Sequence, residues 1–341
     1  MKPLRERVSA PDALRLPASV AGVAWRRIVR DDVPLLLELS RACDAVDTPW
    51  AVTTEDELAL WLDDPKLRLE RDSAIGFDDS GRAVAYGFVG QGDVHETVVW
   101  IELDGAVHPE RRREGIGGAL LDWQDERGRR MLAAEDSTLP GRLSVDAGEH
   151  EAGTIALAES RGYRVVRWWL ELERDLAAPI PEPSLGPGLR FEPYGGNEEL
   201  TRAARNDSFR DHWGSQPVSE REWREHDELE SARPDLSFVV VEGEGETKRV
   251  LGFAIGAVYR EDWEHRGHSF GYIDLLGVVS DARGRGIAKA LLARSLAAMR
   301  AEGFERAVLD VDSESLTGAV GLYESVGFET VRRSMTLARE F

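Results

Sequence analysis

The most informative chemistry lies in the run Val278-Val279-Ser280-Asp281-Ala282-Arg283-Gly284-Arg285-Gly286-Ile287-Ala288. An apolar stretch, Tyr272 to Val279, meets a turn broken by Gly284 and Gly286. A helical pattern starts at once, with Ile287, Leu291, Leu292 and Leu296 on one side. A strand–turn–helix junction of this kind aims successive backbone N–H groups, and the positive end of the helix dipole, at one point outside the turn. Glycines there let an anion approach the main chain with no Cβ in the way. Arg283 and Arg285 add charge. The junction offers a cradle for a pyrophosphate.

The pattern occurs twice. Val107-His108-Pro109-Glu110-Arg111-Arg112-Arg113-Glu114-Gly115-Ile116-Gly117 repeats Arg283-x-x-Gly286-x-Ala288 as Arg112-x-x-Gly115-x-Gly117, again between an apolar strand and a helix. In this form it resembles the acyl-CoA pyrophosphate loop of the GNAT superfamily of N-acyltransferases. Two copies about half a chain apart resemble a tandem GNAT protein, over nearly all of the chain beyond its first two dozen residues. The resemblance implies acetyl-CoA as co-substrate. Backbone amides of Arg283, Gly284, Arg285, Gly286, Ile287 and Ala288 would hold its pyrophosphate, and main-chain groups of Val278 and Val279 would align its pantetheine. Val107, Arg112, Arg113, Gly115 and Gly117 form a possible second CoA loop. Where family members often carry an asparagine touching the CoA arm, this chain reads Asp310-Val311-Asp312-Ser313-Glu314-Ser315, and Ser315 or Ser313 takes that place.

Acyl transfer from a thioester to an amine needs a held acyl-CoA, an ammonium that loses a proton, and a stabilised leaving thiolate. GNAT domains commonly place a tyrosine near the thioester sulfur in a Leu-Tyr-x-x-x-Gly-Phe pattern. Leu322-Tyr323-Glu324-Ser325-Val326-Gly327-Phe328 matches it in full, which makes Tyr323 the candidate general acid. The first half reads Leu157-Ala158-Glu159-Ser160-Arg161-Gly162-Tyr163, with alanine in the tyrosine's place. Asp274, on the strand entering the loop, is the possible general base, directly or through a water; Glu242, Asp262 and His265 are alternatives. For the acceptor, His212 and Trp213 stand on one candidate wall and Tyr259 and Asp262 on the other. Aromatics beside carboxylates suit an amine with an apolar body. No His/Cys/Asp cluster has metal-ligand spacing, so no metal is expected.

These residues need elements to position them. A strand at Val23 to Val29 precedes helices from Val33 to Ala45 and from Glu55, a hairpin (Ser73 to Phe77, Ala83 to Val89) and a strand from Val98 to Val107. The first loop and the helix Ile116 to Ala134 follow, then strand Arg142 to Val145, helix Glu151 to Arg161 and strand Arg164 to Leu172. A proline-rich linker, residues 179–188, has no core pattern. The programme then restarts: strand Leu189 to Glu192, helices Glu198 to Phe209 and Glu220 to Leu229, and strands Ser237 to Glu242, Val250 to Tyr259 and Gly271 to Val279. After the second loop and its helix come strand Ala307 to Val311, helix Thr317 to Ser325 and strand Phe328 to Leu337. Equal element order on both sides of a linker argues for duplication. The expectation is an α+β protein of two tandem GNAT domains, each a mostly antiparallel twisted sheet flanked by helices. Residues 23–178 form a degenerate first domain and 189–341 a catalytic second one. Residues 1–22 are an arm, either disordered or packed on the other half.

Composition agrees with two globular domains: 341 residues, 42% hydrophobic. The net charge of −20 is shared by both halves and disfavours nucleic acid or an anionic membrane as partner. The single cysteine, Cys43, sits among Leu36, Leu39 and Ala42 and reads as a small buried apolar residue in a reducing compartment. No stretch has membrane-spanning length, so a cytoplasmic monomer or homodimer is expected. The functional expectation is transfer of acetyl from acetyl-CoA to a primary amine of a small molecule by direct attack. The alternatives are a non-catalytic CoA-binding or interaction module, and an enzyme with both halves active.

Overall fold

The computed structural model describes residues 2–341 apart from 12, 14, 65, 66, 93, 316 and 317. In chain order the elements are α1 (Leu4–Arg7), β1 (Ala24–Arg26), α2 (Val33–Asp47), α3 (Glu55–Asp63), α4 (Leu69–Asp72), β2 (Ser73–Phe77), β3 (Ala83–Gln91), β4 (Val99–Val107), α5 (Ile116–Ala134), β5 (Gly141–Gly148), α6 (Ala152–Ser160) and β6 (Arg164–Asp175). Then follow β7 (Leu189–Pro193), α7 (Glu198–Ser208), α8 (Glu220–Asp227), β8 (Phe238–Glu242), β9 (Arg249–Ala257), α9 (Asp262–Arg266), β10 (Phe270–Val278), α10 (Ile287–Ala301), β11 (Arg306–Asp312), α11 (Ala319–Ser325) and β12 (Glu329–Glu340). The last helix, expected from Thr317, runs from Ala319; Thr317 itself lies outside the described residues.

The chain divides into two compact units, Met1–Arg167 with Ser334–Phe341, and Trp168–Arg333. A single boundary in the proline-rich stretch therefore does not describe the chain path. In the first unit β1, β2, β3 and β4 pair antiparallel in that order, β5 pairs parallel with β4, and Ser334–Glu340 of β12 pairs antiparallel with β5. In the second unit β7, β8, β9 and β10 pair antiparallel, β11 pairs parallel with β10, and Trp169–Asp175 of β6 pairs antiparallel with β11. Each unit thus takes its sixth strand from the stretch of sequence assigned to the other. The cause is visible in burial. Leu337 is fully buried in the first unit and Leu172 in the second, so each segment supplies core side chains where its ladder runs.

The helices form for local reasons. A capping box, Thr54 with Glu57, opens α3, and another, Ser219 with Glu222, opens α8. The long helices α5 and α10 start instead at left-handed glycines, Gly115 and Gly286. The described residues at the start of the N-terminal arm pack on the first unit. Leu4 is fully buried, its backbone N–H bonds to Ser137 O at 2.8 Å, and its side chain fills the space beside Gly141, where a Cβ would come to 2.7 Å. No helix among the described residues is long and apolar enough to cross a membrane.

Candidate active site

The second loop has the geometry of an open anion cradle. Gly284 and Gly286 have φ of 77° and 78°, and a Cβ added to either meets nothing within 4 Å. No side chain caps α10, whose first intrahelical bond runs from Ala290 N to Gly286 O at 3.1 Å. The N–H groups of Ile287, Ala288 and Lys289 therefore lack an intrahelical acceptor and point at the mouth of the turn. Arg283 donates to Ser208 O at 2.9 Å, tying the loop to the end of α7, and Arg285 pairs with Glu242 at 3.0 Å. Glu242 is thereby committed to the loop, away from the strand that carries Asp274.

Beyond the turn, the sheet opens. Strands β10 and β11 pair only from Phe270↔Arg306 to Tyr272↔Val308, although both continue. Val279 N bonds to Leu251 O at 3.0 Å, which makes Val278↔Gly252 a non-hydrogen-bonded pair. By alternation, the main-chain groups of Val278 and Leu276 face away from β9, toward the side from which β11 has departed. They suit the amides of a pantetheine arm. Val279 does not: its N–H serves Leu251 and its C=O accepts from Ala282 N at 3.0 Å. Leu276, not Val279, leaves its main-chain groups on that side. Ser315 lies in a tight turn, its N–H bonded to Asp312 O and its C=O accepting from Gly318 N, both at 3.1 Å.

Asp274 occupies a β-bulge. The β9–β10 register shifts between Ile273 and Leu275, leaving Asp274 as the extra residue. A bulge bends the strand and re-aims a side chain. The Asp274 carboxylate meets Nε2 of His226, on α8, at 2.7 Å, with 25% and 30% of the two side chains exposed, so water reaches the pair. His226 stacks on Trp223, ring centroids 5.9 Å apart. Trp223 donates from Nε1 to the Tyr194 hydroxyl at 2.9 Å, and Tyr194 donates to Asp227 at 2.5 Å. The hydrogen bond to Asp274 raises the His226 pKa above its ordinary value against the opposing effect of burial. His226 escaped sequence reasoning; the signal available was Trp223 three residues before it, behind a capping box.

Tyr323 comes from the opposite face. It is buried with Leu172, Ile273, Leu309, Val311 and Phe328, against the side of the sheet covered by α10, with the Phe328 ring edge-on at 6.0 Å. Its hydroxyl has no hydrogen-bond partner among the described residues, and burial pushes its pKa up to about 12. On the other face, β6, β11 and β10 carry Glu171, Asp310, Tyr272 and Asp274. Glu171 lies opposite Asp310 in the ladder, and Tyr272 donates to Asp310. Burial, with the charge of Glu171, pushes Asp310 up to about 6.

The residues expected to flank an acceptor fall into two aromatic groups. His212 and Trp213 gather around Trp169 of β6, each with ring centroids 6.2 Å from it. Tyr259 meets Tyr272 edge-on at 5.5 Å, joining the face that bears Asp274 and Asp310. Asp262 and His265 lie on α9, not on the strand carrying Asp274. Trp169 was missed because a linear reading placed its strand in the first half. Among the described residues, no group of three or more His, Cys, Asp or Glu is arranged to hold a metal.

The first unit repeats the frame with different fittings. Strands β4 and β5 pair from Val99↔Gly141 to Glu102↔Ser144 and then part. Gly115 has φ of 87°, and α5 also lacks a side-chain cap. Three differences stand out. The β3–β4 register runs unbroken from Ala85↔Val107 to Gln91↔Ile101, so β4 has no bulge, and its carboxylate Asp104 is buried, with desolvation pushing it up to about 6. Arg112 folds back, donating to Val107 O at 3.0 Å and pairing with Asp47, so the carbonyl equivalent to that of Val278 is occupied. Ala158 is fully buried, and the only nearby motif tyrosine, Tyr163, donates to Asp125 at 3.2 Å. Gly117 packs against Leu157 at the start of α5.

Comparison with known proteins bears on the family and the fold. Residues 199–328 match the family described as Acetyltransferase (GNAT) family. A mycothiol acetyltransferase of Salinispora arenicola (strain CNS-205) is 34% identical over 232 residues, 65% of this chain and 68% of that protein. A mycothiol acetyltransferase of Geodermatophilus obscurus is 30% identical over 308 residues, 87% of this chain and 90% of that protein. Among solved structures, a GCN5-related N-acetyltransferase from Sphaerobacter thermophilus superposes with a TM-score of 0.70 at 26% identity, covering 96% of this chain and 97% of its own. A tandem GNAT protein from the clavulanic acid biosynthesis pathway gives a TM-score of 0.67 at 16% identity, covering 93% and 98%; that likeness is one of fold.

Proposed function

The chain belongs to the GNAT acetyltransferase family, and from that premise we propose that its second unit transfers the acetyl group of acetyl-CoA to a primary amine by direct attack. The observation that supports the proposal is the parting of β10 and β11 after Tyr272↔Val308, close to the uncapped glycine turn before α10. Asp274 sits in the bulge of β10, and Tyr323 packs beside Ile273 of β10 and Val311 of β11 on the other side of the sheet. A pyrophosphate on the N–H groups of Ile287 to Lys289 and a pantetheine arm along Leu276 and Val278 would deliver a thioester into that opening.

Asp274 takes a proton from the acceptor ammonium as the amine nitrogen bonds to the thioester carbon. The C–S bond then breaks as the adduct nitrogen gives up its second proton to the thiolate or to water, and Tyr323 donates a hydrogen bond to the departing sulfur. An ordinary thiol has a pKa of about 8.5, below the value of about 12 for Tyr323. Full proton transfer to the thiolate would run uphill. Tyr323 therefore acts by stabilising the thiolate, not by ending up deprotonated.

In this proposal the first unit is a non-reacting partner. Ala158, the unbroken β4 register and the occupied Val107 carbonyl support that reading over two active halves. The relatives' name makes a mycothiol-related amine the first acceptor to try, and Tyr259, Trp169, His212 and Trp213 are the aromatic groups proposed to flank its apolar body. The test is release of free thiol from acetyl-CoA with a panel of primary amines that includes mycothiol-related ones. Turnover lost on Gly286→Glu but kept on Gly115→Glu supports one working half. Absence of turnover with every amine, while acetyl-CoA binds, favours a binding module.

A further inference from the structure

His226 has no assigned part in acyl transfer, yet it is built into the site. Its Nε2 faces Asp274 at 2.7 Å. Its Nδ1 is buried with no hydrogen-bond partner, because Asp227 Oδ1 stands 3.9 Å away, too far for a bond. Asp227 is also engaged by the Tyr194 hydroxyl. The ring is clamped against Trp223, with 18° between the planes. A buried Nδ1 cannot touch an incoming amine, so His226 does not abstract the proton itself. In the neutral ring the proton belongs on Nε2, where it has an acceptor.

Resting on the reading of Asp274 as proton acceptor, we propose that His226 is its positioning residue and its switch. The neutral imidazole donates Nε2–H to one carboxylate oxygen and leaves the other for the ammonium. A second proton on Nδ1 converts the pair to imidazolium and carboxylate. In that state the charge that attracts an ammonium is neutralised and Asp274 is a poorer base. The charged and titratable groups facing the ring are Asp274 from β10, Asp227 from α8 itself, and the Tyr194 hydroxyl through Asp227. Both carboxylates favour the imidazolium, in keeping with the raised His226 pKa. Two protons leave the nitrogen: the first goes to the free oxygen of Asp274 during attack and is released to water after the amide departs, and the second, carried by the nitrogen of the tetrahedral adduct, goes to the departing thiolate or to water as the C–S bond breaks.

Two measurements on the full chain test the proposal. The first is the pH profile of kcat/KM with acetyl-CoA and the panel amine that releases most thiol. His226→Gln keeps an N–H donor that does not titrate, so its acid limb should move at least one pH unit lower, with kcat at pH 8 within about threefold of wild type. His226→Phe removes the donor and should lower kcat at least tenfold with the KM for acetyl-CoA unchanged. An acid limb that stays in place in His226→Gln overturns the proposal. The second needs no substrate: NMR titration of the His226 ring in the wild type and in Asp274→Asn. The midpoint should fall in the variant; an unchanged midpoint overturns the proposal. If no amine is turned over, the acyl-transfer reading fails while the titration still decides whether the two side chains are coupled.

Discussion

Arg113 and Gly284 stand at the same place in the two loops and adopt the same left-handed backbone, φ 66° and 77°. Glycine holds that conformation without strain, whereas a residue with a Cβ gives up roughly 1–2 kcal/mol. The first loop has therefore kept the turn of the second while losing the residue that makes it free of strain. Part of the strain is offset on substitution, because glycine also gains freedom in the unfolded chain. Arg113→Gly should stabilise the protein by roughly 0.5–1 kcal/mol. Denaturant unfolding of the two forms measures this. A destabilised variant would mean that the Arg113 side chain makes up for its backbone.

Tyr323 separates chemistry from packing. Its ring lies in the core against Phe328, and its hydroxyl bonds to nothing among the described residues. Tyr323→Phe keeps the ring and removes only the hydroxyl. Stability should shift by less than about 1 kcal/mol, with acetyl-CoA affinity unchanged. Turnover of the thioester should fall by about 10²-fold or more, the usual scale for losing one hydrogen-bond donor aimed at developing negative charge. Thermal unfolding, CoA binding and thiol release together check it. Full activity in the phenylalanine variant would remove Tyr323 from the reaction.

Much of this was legible in the sequence, and what was not has identifiable causes. The loops, their helices and the Ala158/Tyr323 asymmetry follow from residue identities at fixed spacing, which local sequence records directly. The bulge at Asp274 was not legible, because a register shift is a property of two strands and only one is read at a time. The bond from Asp274 to His226 joins residues 48 apart. The exchange of end strands is the hardest case. β6 and β12 read as closing strands of their own halves, and only the ladders with β11 and β5 show where Leu172 and Leu337 are buried. Cys43 was simpler: a cysteine among leucines of an amphipathic helix is buried, and it is 5% exposed.

That burial pushes the Cys43 thiol up to about 11. At pH 7.5 almost none of it is thiolate, and the sulfur is out of reach of reagents. Alkylation by a maleimide in the folded protein should be at least 10²-fold slower than for a free thiol, and should recover the normal rate in denaturant. Rapid labelling of native protein would show that α2 opens readily over its core.

The His226–Asp274 pair makes stability depend on pH in a definite direction. The folded pKa of His226 is raised, so the folded chain holds that proton more tightly than the unfolded one. The stabilisation is fully present below the unfolded value, about 6.5, and is lost as pH rises through the folded value. Asp274→Asn removes the cause. Its stability deficit should be largest at pH 5–6 and shrink above pH 8, as measured by unfolding midpoints across that range. A deficit that grows with pH would contradict the pairing.

The strand exchange predicts that the two halves of the sequence do not fold apart. A cut in the proline-rich stretch gives fragments 1–178 and 179–341. The first loses Ser334–Phe341, which pairs with β5 from Gly148 to Arg142 and closes the ladder with two bonds between Gly141 and Phe341. It also loses the buried side chains Met335, Leu337 and Ala338. The second loses Trp168–Ala178, with fully buried Leu172 and with Arg174, which donates to Val326 O and Pro179 O. Burying a large apolar side chain contributes about 2 kcal/mol, and an orphaned strand edge invites aggregation. Together these losses are comparable with the whole stability of a domain, about 5–15 kcal/mol. Each fragment alone should aggregate or lack native near-ultraviolet circular dichroism, and co-expression should restore both. Appending Ser334–Phe341 to fragment 1–167 through a flexible linker should rescue the first unit by itself, because it returns the missing strand without any other part of the second. A fragment 1–178 that folds to the native spectrum unaided would show that the seven-residue ladder with β5 is dispensable, and that the unit's core closes without Leu337.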